Sequence, residues 1–326
     1  MKPKDSSRTV LIDTDTASDD AVALIMALRS PLVTVAAITV VAGNVSVEQS
    51  TSNALYTAEL CDSGVPIYTG ATKPLVRELQ MADWFHGVDG LGGHGYVPAA
   101  RRAEQVHAVD AIIETVLINP GIEVITLGPL TNLALALARE PRIAANVSRC
   151  VVMGGAPCCV GNITPAAEFN VWVDPEAARI VFLSGLPLEM IGWHLSRHEA
   201  ALDEQDIARI LALKTDRAAF AIRCNSTAAA AYYTQTGEYG ISLPDPIAMA
   251  VLLRPELSLS SSMHFVEVET ASELTRGTTV VDRLGVGADA RNRRVWLEAQ
   301  TRAKKTKVCW SLDIAGWKAA LIEALR

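Results

Sequence analysis

The amino-acid sequence predicts an α/β fold in which an open, mostly parallel sheet carries helices on both faces. Short β-rich runs alternate with helical patterns through the first half of the chain, as they do in successive βαβ units. Hydrophobic residues make up 50% of the 326 residues, which is enough for a large core. Because neither internal repeats nor low-complexity linkers interrupt the pattern, we expect residues 1–326 to form a single domain.

The elements of the first half follow one another in a regular order. The first four are the strand TVLID, the helix DDAVALIMALRS, the strand VTVAAITVV and the helix VEQSTSNALYTAEL. After the strand VPIYTG and a long glycine-rich loop come AVDAIIETVL, IEVITLG, LTNLALALARE and RCVVMGG. Ser18 suits the N-cap of the first helix, and Pro175 suits the first turn of a helix in DPEAARIVFL. This order predicts a Rossmann-like sheet.

The pattern changes after residue 200. Two consecutive helices are predicted, LDEQDIARILAL and DRAAFAIRCNSTAAAAYY, followed by the turn-rich TQTGEYGISLPDP. Short strands in MHFVEVET, TTVV and VWLEA then precede a terminal helix, SLDIAGWKAALIEALR. We expect this part to cover one edge of the sheet, at the rim where the strands end and where open parallel sheets bind ligands.

The composition excludes several classes of protein. The 29 basic and 36 acidic residues give a net charge of −7, so a nucleic-acid partner is not expected. The apolar runs are shorter than the roughly 20 residues that span a bilayer, and the N-terminus MKPKDSSRTV lacks the apolar core of a signal peptide. The six cysteines show no CxxC spacing, which favours reduced thiols in a cytoplasmic protein without a membrane partner.

The stretch LIDTDTASDD places four aspartates immediately after an apolar run. Asp19 and Asp20 suit the positive end of a helix dipole, but this does not explain Asp13 and Asp15 at the end of the preceding strand. Carboxylates this close repel one another, so a cation or a shared proton must offset their charge. Oxygen ligands without His or Cys suit Ca²⁺ or Mg²⁺ better than Zn²⁺.

The spacing D-x-D-x-x-x-D-D of Asp13–Asp20 resembles the start of the nucleoside hydrolases of the inosine-uridine preferring type. Further segments resemble that family in the same order, namely VVAGN, FHGVDGLGG, LGPLTNLALA, MGGA, GNITPAAEFNVWVDPEAA and LPDPIAMA. The resemblance implies hydrolysis of the N-glycosidic bond of ribonucleosides to free base and ribose, in nucleoside salvage. It also implies a homodimer or homotetramer that acts on a small-molecule substrate.

The resemblance also implies a role for individual residues. One Ca²⁺ would be held by Asp15, Asp20, the backbone carbonyl of Leu127 and Asp245, with places left for water and a substrate diol. Asp15 would also take the proton from the metal-bound water, and Asp13 would be a supporting or structural carboxylate. The residues expected to bind ribose are Asp19, Asn44, Asn162, Glu168 and Asn170. In an extended EFN segment, Glu168 and Asn170 would project to the same side.

Two positions depart from the family pattern. Ala17 stands where the family has Gly, at a cost of order 1 kcal/mol if that position needs a positive φ. Pro244 stands where many members carry a His that protonates the leaving base, so base activation must come from elsewhere. The candidates for contacts with the base are His86, Trp84, Tyr232 and Tyr233.

Two other functions are compatible with parts of the pattern. LIDTDTA is similar to the nucleophile motif of haloacid-dehalogenase-like phosphatases, but that family wants Thr or Val at Ala17 and places its further acidic pair far downstream. The absence of His at Pro244 also fits a non-catalytic, Ca²⁺-dependent binder of nucleosides or ribose. The hydrolase is the preferred interpretation, and the purine or pyrimidine preference stays open.

Overall fold

A computed structural model describes residues 8–96 and 100–326. The first seven residues of MKPKDSSRTV, the segment in which the sequence predicts no signal peptide, lie outside the described residues. The strands in the described part of the chain are β1 (Arg8–Thr14), β2 (Val33–Val40), β3 (Ile67–Thr69), β4 (Ile122–Thr126), β5 (Val147–Met153), β6 (Leu188–Ile191), β7 (Ser258–His264), β8 (Val266–Val268), β9 (Thr279–Val281) and β10 (Thr306–Leu312). Eight of these strands form one sheet in the order β3-β2-β1-β4-β5-β6-β10-β7. All neighbouring pairs in this sheet are parallel except β10 and β7. The predicted mostly parallel sheet is confirmed.

The helices alternate with the strands in the first half of the chain and cluster in the second half. They are α1 (Ser18–Arg29), α2 (Val47–Leu60), α3 (Asp83–His86), α4 (Ala108–Ile118), α5 (Thr131–Arg139), α6 (Ile143–Asn146), α7 (Phe169–Val173), α8 (Pro175–Phe182), α9 (Glu204–Leu211), α10 (Asp216–Cys224), α11 (Ser226–Thr236), α12 (Pro244–Leu253), α13 (Arg293–Arg302) and α14 (Ile314–Ala324). Pro175 occupies the first turn of α8, as predicted. No helix within the described residues is long and apolar enough to cross a membrane.

The two faces of the sheet each bury a hydrophobic cluster. Along β1, Val10 and Ile12 face the cluster that contains α1 and α12, whereas Leu11 faces the cluster that contains α4, α5 and α8. Successive side chains of a strand point to opposite faces, so a strand covered on both sides is apolar throughout. This explains why the predicted strands are continuous apolar runs.

Helix α12 is fixed at its C-terminus, and its N-terminus lies at the pocket. At its C-terminus, the Arg8 guanidinium donates to the carbonyls of Leu252 (2.9 Å) and Leu253 (2.8 Å), and Arg149 donates to the carbonyl of Leu252 (3.1 Å). Cations at this end favour the helix dipole and satisfy carbonyls that lack partners within the helix. The opposite end of α12, which begins at Pro244, lies at the rim where the strands end.

The C-terminal part differs from the prediction in three respects. VWLEA is not a strand but part of α13. Trp296 and Ala299 are buried three residues apart, which is a helical spacing. The prediction was wrong because it gave more weight to the β-propensity of the segment than to this spacing. TKVCWSL, which was not among the predicted strands, forms β10 between β6 and β7. The C-terminal part therefore extends the sheet in addition to covering its edge. The single helix predicted from DRAAF onward is interrupted at Asn225, which separates α10 from α11.

The start of α1 also differs from the prediction. Ser18 is the first residue of the helix and Ala17 is its N-cap. The Asp20 carboxylate accepts a hydrogen bond from the Ala17 backbone N–H (2.9 Å), which is the half of a capping box that runs from the N3 side chain to the N-cap N–H. Ala17 has no side-chain oxygen to supply the other half. The φ of Ala17 is −104°, which any L-residue adopts, and replacement of the family's Gly therefore causes no left-handed strain.

Candidate active site

One pocket at the rim of the sheet brings together most of the residues that the sequence predicted. Its empty volume, including open solvent at the mouth, is about 720 Å³. The predicted residues on its wall are Asp19, Asn44, Trp84, His86, Leu127, Asn162, Glu168, Asn170, Tyr232 and Asp245. Asp15 and Asp20 are fully buried next to this wall, and Tyr233 does not contribute to it.

Asp15 is held tightly behind the wall. Its Oδ2 accepts a hydrogen bond from the Asn44 backbone N–H (2.7 Å), whereas its Oδ1 is buried without a partner. A Cβ at Gly43 would overlap Oδ2, and one at Gly128 would lie 2.7 Å from Oδ1. The two loops therefore need glycine to approach the carboxylate, a requirement that sequence reasoning missed although both glycines directly follow apolar runs.

The other acidic side chains come from the first turns of two helices. Asp19 and Asp20 begin α1, and Asp245 begins α12, which packs against α1. One carboxylate oxygen from each of the three lies within 4.8 Å of the others, so the group could hold a metal ion. The positive ends of both helix dipoles point at this cluster and favour its negative charge.

Burial is the main influence on the pKa of each carboxyl group. Burial first, and then the charge of Asp20, raises the pKa of Asp15 well above its usual value. Burial first, and then neighbouring aspartates, does the same for Asp245. Burial raises the pKa of Asp19 and of Asp20 to about 6. Without a cation, the cluster therefore binds protons more readily than exposed aspartates do.

The carboxylates suit a hard cation on chemical grounds. Asp15 Oδ1 and Asp19 Oδ1 are both buried without a hydrogen-bond partner, which is costly for a carboxylate unless another ligand reaches it. The clustered ligand atoms of Asp19, Asp20 and Asp245 are carboxylate oxygens, which Ca²⁺ and Mg²⁺ prefer. The described residues therefore fit a divalent metal.

Asp13 is built into the sheet. Its Oδ1 accepts hydrogen bonds from Thr39 Oγ1 (2.6 Å) and Asn132 Nδ2 (2.9 Å), and it does not line the pocket. These contacts agree with the supporting role expected from the sequence.

The segment that carries Glu168 and Asn170 is not extended, contrary to the prediction. Glu168 is the N-cap of the short helix α7, and its carboxylate accepts hydrogen bonds from the backbone N–H groups of Asn170 (2.8 Å) and Gly155 (2.8 Å). The Asn170 side chain donates to the Leu127 carbonyl (2.7 Å). The turn of α7, and not strand alternation, therefore brings both residues to the pocket.

Asn162 reaches the pocket from a loop. Its Oδ1 accepts a hydrogen bond from the Phe169 backbone N–H (2.9 Å), and its backbone carbonyl accepts one from Gln235. The loop is thereby connected to both α7 and α11.

His86 is a buried, neutral imidazole on the pocket wall. Its Nδ1 lies 2.8 Å from Ser18 Oγ and 3.9 Å from Asp19 Oδ1. Burial lowers the pKa of His86 to about 4, with the charge of Asp20 opposing the shift. The ring is therefore uncharged at neutral pH, and Ser18 fixes its orientation.

The two adjacent tyrosines have different environments. Tyr232 is buried on the pocket wall, and its hydroxyl donates a hydrogen bond to Glu238. Tyr233 is 44% exposed and stacks on Tyr239 at 4.2 Å between ring centroids, away from the pocket. Only one of the tyrosines proposed from the sequence can therefore face a bound base in this arrangement.

Further residues on the wall carried no signal in the sequence. They are Ala82, Phe85, Met153, Ile163, Phe169, Trp193, Asn225, Ala228, Gln235 and Ser242. Most belong to loops or to helices of the second half of the chain, and only the tertiary structure brings them to the pocket.

A family model described as inosine-uridine preferring nucleoside hydrolase matches residues 10–319. The chain belongs to this family. Among curated relatives, this nucleoside hydrolase is 41% identical over 284 residues to the pyrimidine-specific ribonucleoside hydrolase RihA of Shewanella sp. strain ANA-3, covering 85% of this chain and 87% of that protein. It is 36% identical to the pyrimidine-specific ribonucleoside hydrolase RihB of Escherichia coli strain SE11, covering 90% and 93% of the two chains.

Solved structures agree with the assignment. A plant nucleoside hydrolase, PpNRh1, superposes with a TM-score of 0.88 at 30% identity, covering 98% of this chain and 99% of the other. A purine-preferring ribonucleoside hydrolase from Gardnerella vaginalis superposes with a TM-score of 0.86 at 29% identity, covering 98% of both chains. The enzyme is therefore a hydrolase of the N-glycosidic bond, which splits ribonucleosides into base and ribose.

Proposed function

We propose that Asp15 is the general base of this nucleoside hydrolase and that Asp15, Asp20, the Leu127 carbonyl and Asp245 hold a Ca²⁺ ion. The observation that carries the proposal is the Asp15 carboxylate, which is fully buried between Gly43 and Gly128 with Oδ1 unpartnered. A buried carboxylate without a partner is unfavourable for folding alone, so a functional reason for it is expected.

The donor set supports one hard cation. When bound, Ca²⁺ would supply a Lewis acid that lowers the pKa of water and orients the sugar diol. The clustered carboxylate oxygens of Asp19, Asp20 and Asp245 support a cation beside them. In this proposal Asp19 binds the ribose and is not one of the metal ligands. The Leu127 carbonyl already accepts a hydrogen bond from Asn170, and its second lone pair is available to a cation.

Asp15 would accept a proton from the water that attacks the anomeric carbon. Its Oδ2 is fixed by the Asn44 N–H, which leaves Oδ1 for the proton. Burial and then the charge of Asp20 raise the pKa of Asp15, and a bound cation would keep the carboxylate ionised so that it can accept the proton. Such a reaction passes through an oxocarbenium-like transition state, with water on one face of the sugar and the base leaving from the other.

The ribose would be oriented by Asp19, Asn44, Asn162, Glu168 and Asn170. All five line the pocket, and their amides and carboxylates suit sugar hydroxyls. The Glu168 carboxylate accepts three backbone hydrogen bonds, so its position is set before substrate arrives.

His86 is the proposed contact to the base. The neutral ring can donate a hydrogen bond through one nitrogen, whereas Pro244 at the first turn of α12 has no proton to give. Trp84 and Tyr232 add aromatic surface to the pocket wall.

Pyrimidine ribonucleosides are the proposed preferred substrates. The curated relatives named pyrimidine-specific share 36–41% of their residues with this chain, whereas the purine-preferring structure shares 29%. We also propose that the enzyme serves nucleoside salvage as a homodimer or homotetramer, which light scattering after gel filtration tests.

The test is the release of reducing sugar from uridine, cytidine, inosine and adenosine, before chelation, after chelation and after addition of Ca²⁺ or Mg²⁺. We expect release that is lost on chelation and restored best by Ca²⁺, with uridine and cytidine preferred. Restoration by Mg²⁺ alone would contradict the proposed ion, and faster purine turnover would contradict the preference. Ribose-dependent stabilisation without any release would instead indicate a binder.

A further inference from the structure

The connection between α11 and α12 is attached to the segment around residues 193–202 at three places. Glu238 pairs with Arg197, Ile241 and Leu202 exchange two backbone hydrogen bonds of 2.9 and 3.0 Å, and Ser242 Oγ donates to the Ser196 carbonyl (3.0 Å). The two segments contribute Trp193 and Ser242 to the pocket, and Tyr232 lies in the helix just before the connection.

Glu238 is the centre of these contacts. Its carboxylate accepts hydrogen bonds from the Tyr232 hydroxyl, from Arg197 Nη2 and from the His198 backbone N–H (3.3 Å). Burial opposes the ionisation of Glu238, but the hydrogen bonds from Tyr232, His198 and Arg197 lower its pKa overall. Glu238 is therefore a carboxylate at neutral pH and acts only as an acceptor.

The same ion pair contacts two of the aromatic residues of the wall. Glu238 accepts a hydrogen bond from the Tyr232 hydroxyl, and the Arg197 guanidinium lies over the Trp193 ring, 5.3 Å from its centroid. Because its proton is used by Glu238, the Tyr232 hydroxyl has none to offer a base, and the ring is the surface that Tyr232 presents to the pocket. Fixing an aromatic ring before binding removes an entropy cost from each association.

We propose that Arg197 and Glu238 are positioning residues that hold Tyr232 and Trp193 as a rigid aromatic wall for the base. This inference rests on the proposed function, since it assumes that the base of the substrate contacts Tyr232 and Trp193. The wall recognises the base by ring contact, so it governs base affinity and discrimination more than it governs the affinity for ribose.

The exposure of the pair favours this role over a purely structural one. The side chains of Arg197 and Glu238 are each 22% exposed, and ion pairs with access to water contribute little to stability. Loss of the pair should therefore appear in the kinetics of base binding more than in the melting temperature.

The experiment compares Glu238→Gln, Tyr232→Phe, their double variant and Glu140→Gln in the full chain with its metal. Glu140 is the matched control, because its side chain is 19% exposed, pairs with Arg142 and does not line the pocket. The measurements are kcat and KM for uridine, cytidine and inosine, and the inhibition constant of ribose.

We expect Glu238→Gln to raise KM by about tenfold, by different factors for the three nucleosides, with kcat and ribose inhibition changed less than about twofold. Tyr232→Phe removes the same hydrogen bond, so the double variant should be no worse than the poorer single variant. Glu140→Gln should match the wild type.

Three results would overturn the inference. The first is the same rise in KM for all three nucleosides together with a higher inhibition constant of ribose. The second is additive effects on KM in the double variant, and the third is an unchanged KM in Glu238→Gln. A wild-type enzyme that hydrolyses none of the nucleosides would refute the proposed function instead. If Glu238→Gln melts well below the wild type, Arg197→Lys, which keeps the charge, tests the same contact to Trp193.

Discussion

The two ends of the pocket are built in different ways. The acidic end consists of Asp15, which follows β1, and of carboxylates in the first turns of α1 and α12, all buried and placed by the ends of a strand and of two helices. The aromatic end consists of side chains from loops and from helices of the second half, held by side-chain contacts such as Tyr232 with Glu238.

The acidic end therefore serves the reaction, and the aromatic end serves the choice of substrate. Atoms fixed by the backbone of a sheet and its helices keep their geometry when side chains elsewhere change. A wall held by side chains on loops can be altered without disturbing the sheet. We therefore expect substitutions at the acidic end to change kcat by large factors and those at the aromatic end to change KM by small ones.

The largest effect is expected from Asp15→Asn. Loss of the general base and of a metal ligand should lower kcat by about 10³-fold or more, with the fold retained. Ribose release and circular dichroism measure the two quantities. Near-normal turnover in this variant would remove Asp15 from the mechanism.

Gly43→Ala should have the second largest effect. The added methyl group overlaps Asp15 Oδ2, so the carboxylate must move, and we expect kcat to fall by about 10²-fold. Gly64→Ala is the control, because nothing lies within 4 Å of a Cβ at that position. Equal activity of the two variants would show that the contact with Asp15 does not matter.

The metal-free enzyme should lose stability as the pH rises. The pKa values of Asp19 and Asp20 rise from 3.8 to about 6 on folding, so the folded state binds protons more tightly than the unfolded state does. This stabilisation is complete below the unfolded pKa and is lost as the pH rises through about 6. Melting curves of chelated protein from about pH 5 to about pH 8 should show a falling melting temperature, which Ca²⁺ restores. A melting temperature that rises over this range would contradict the burial of the cluster.

The smallest effects are expected at the aromatic end. Trp84 lines the pocket but is 52% exposed, so Trp84→Ala should raise KM only about threefold. Tyr233→Ala should leave both constants unchanged, because Tyr233 stacks on Tyr239 outside the pocket. A larger rise in KM for Tyr233→Ala than for Trp84→Ala would show that the connection after α11 moves when substrate binds.

Residues close together in the sequence were predicted well. Asp15, Asp19 and Asp20 lie within one strand–helix turn, and the carboxyl ends of parallel strands meet at one rim, so Asn44 and Leu127 could be placed beside them. Of the predicted late strands, MHFVEVET contains the end of β7 and all of β8, and TTVV contains β9, whereas VWLEA is helical. Strand β10 was missed, and it pairs with β7, which is more than forty residues away in the chain. Side-chain pattern alone carries no information about such a pairing.

The sequence by itself determined the α/β class, the family and the acidic group that follows β1, because these depend on spacing within short segments. The tertiary structure alone decided that Glu168 caps a helix, that Ser18 orients His86, that Gly43 and Gly128 enclose Asp15, and that Tyr232 but not Tyr233 reaches the pocket. Each of these depends on the distance between side chains that are remote in sequence or on which face of a helix is buried. Such distances follow from the packing of all the elements together, and no local pattern encodes them.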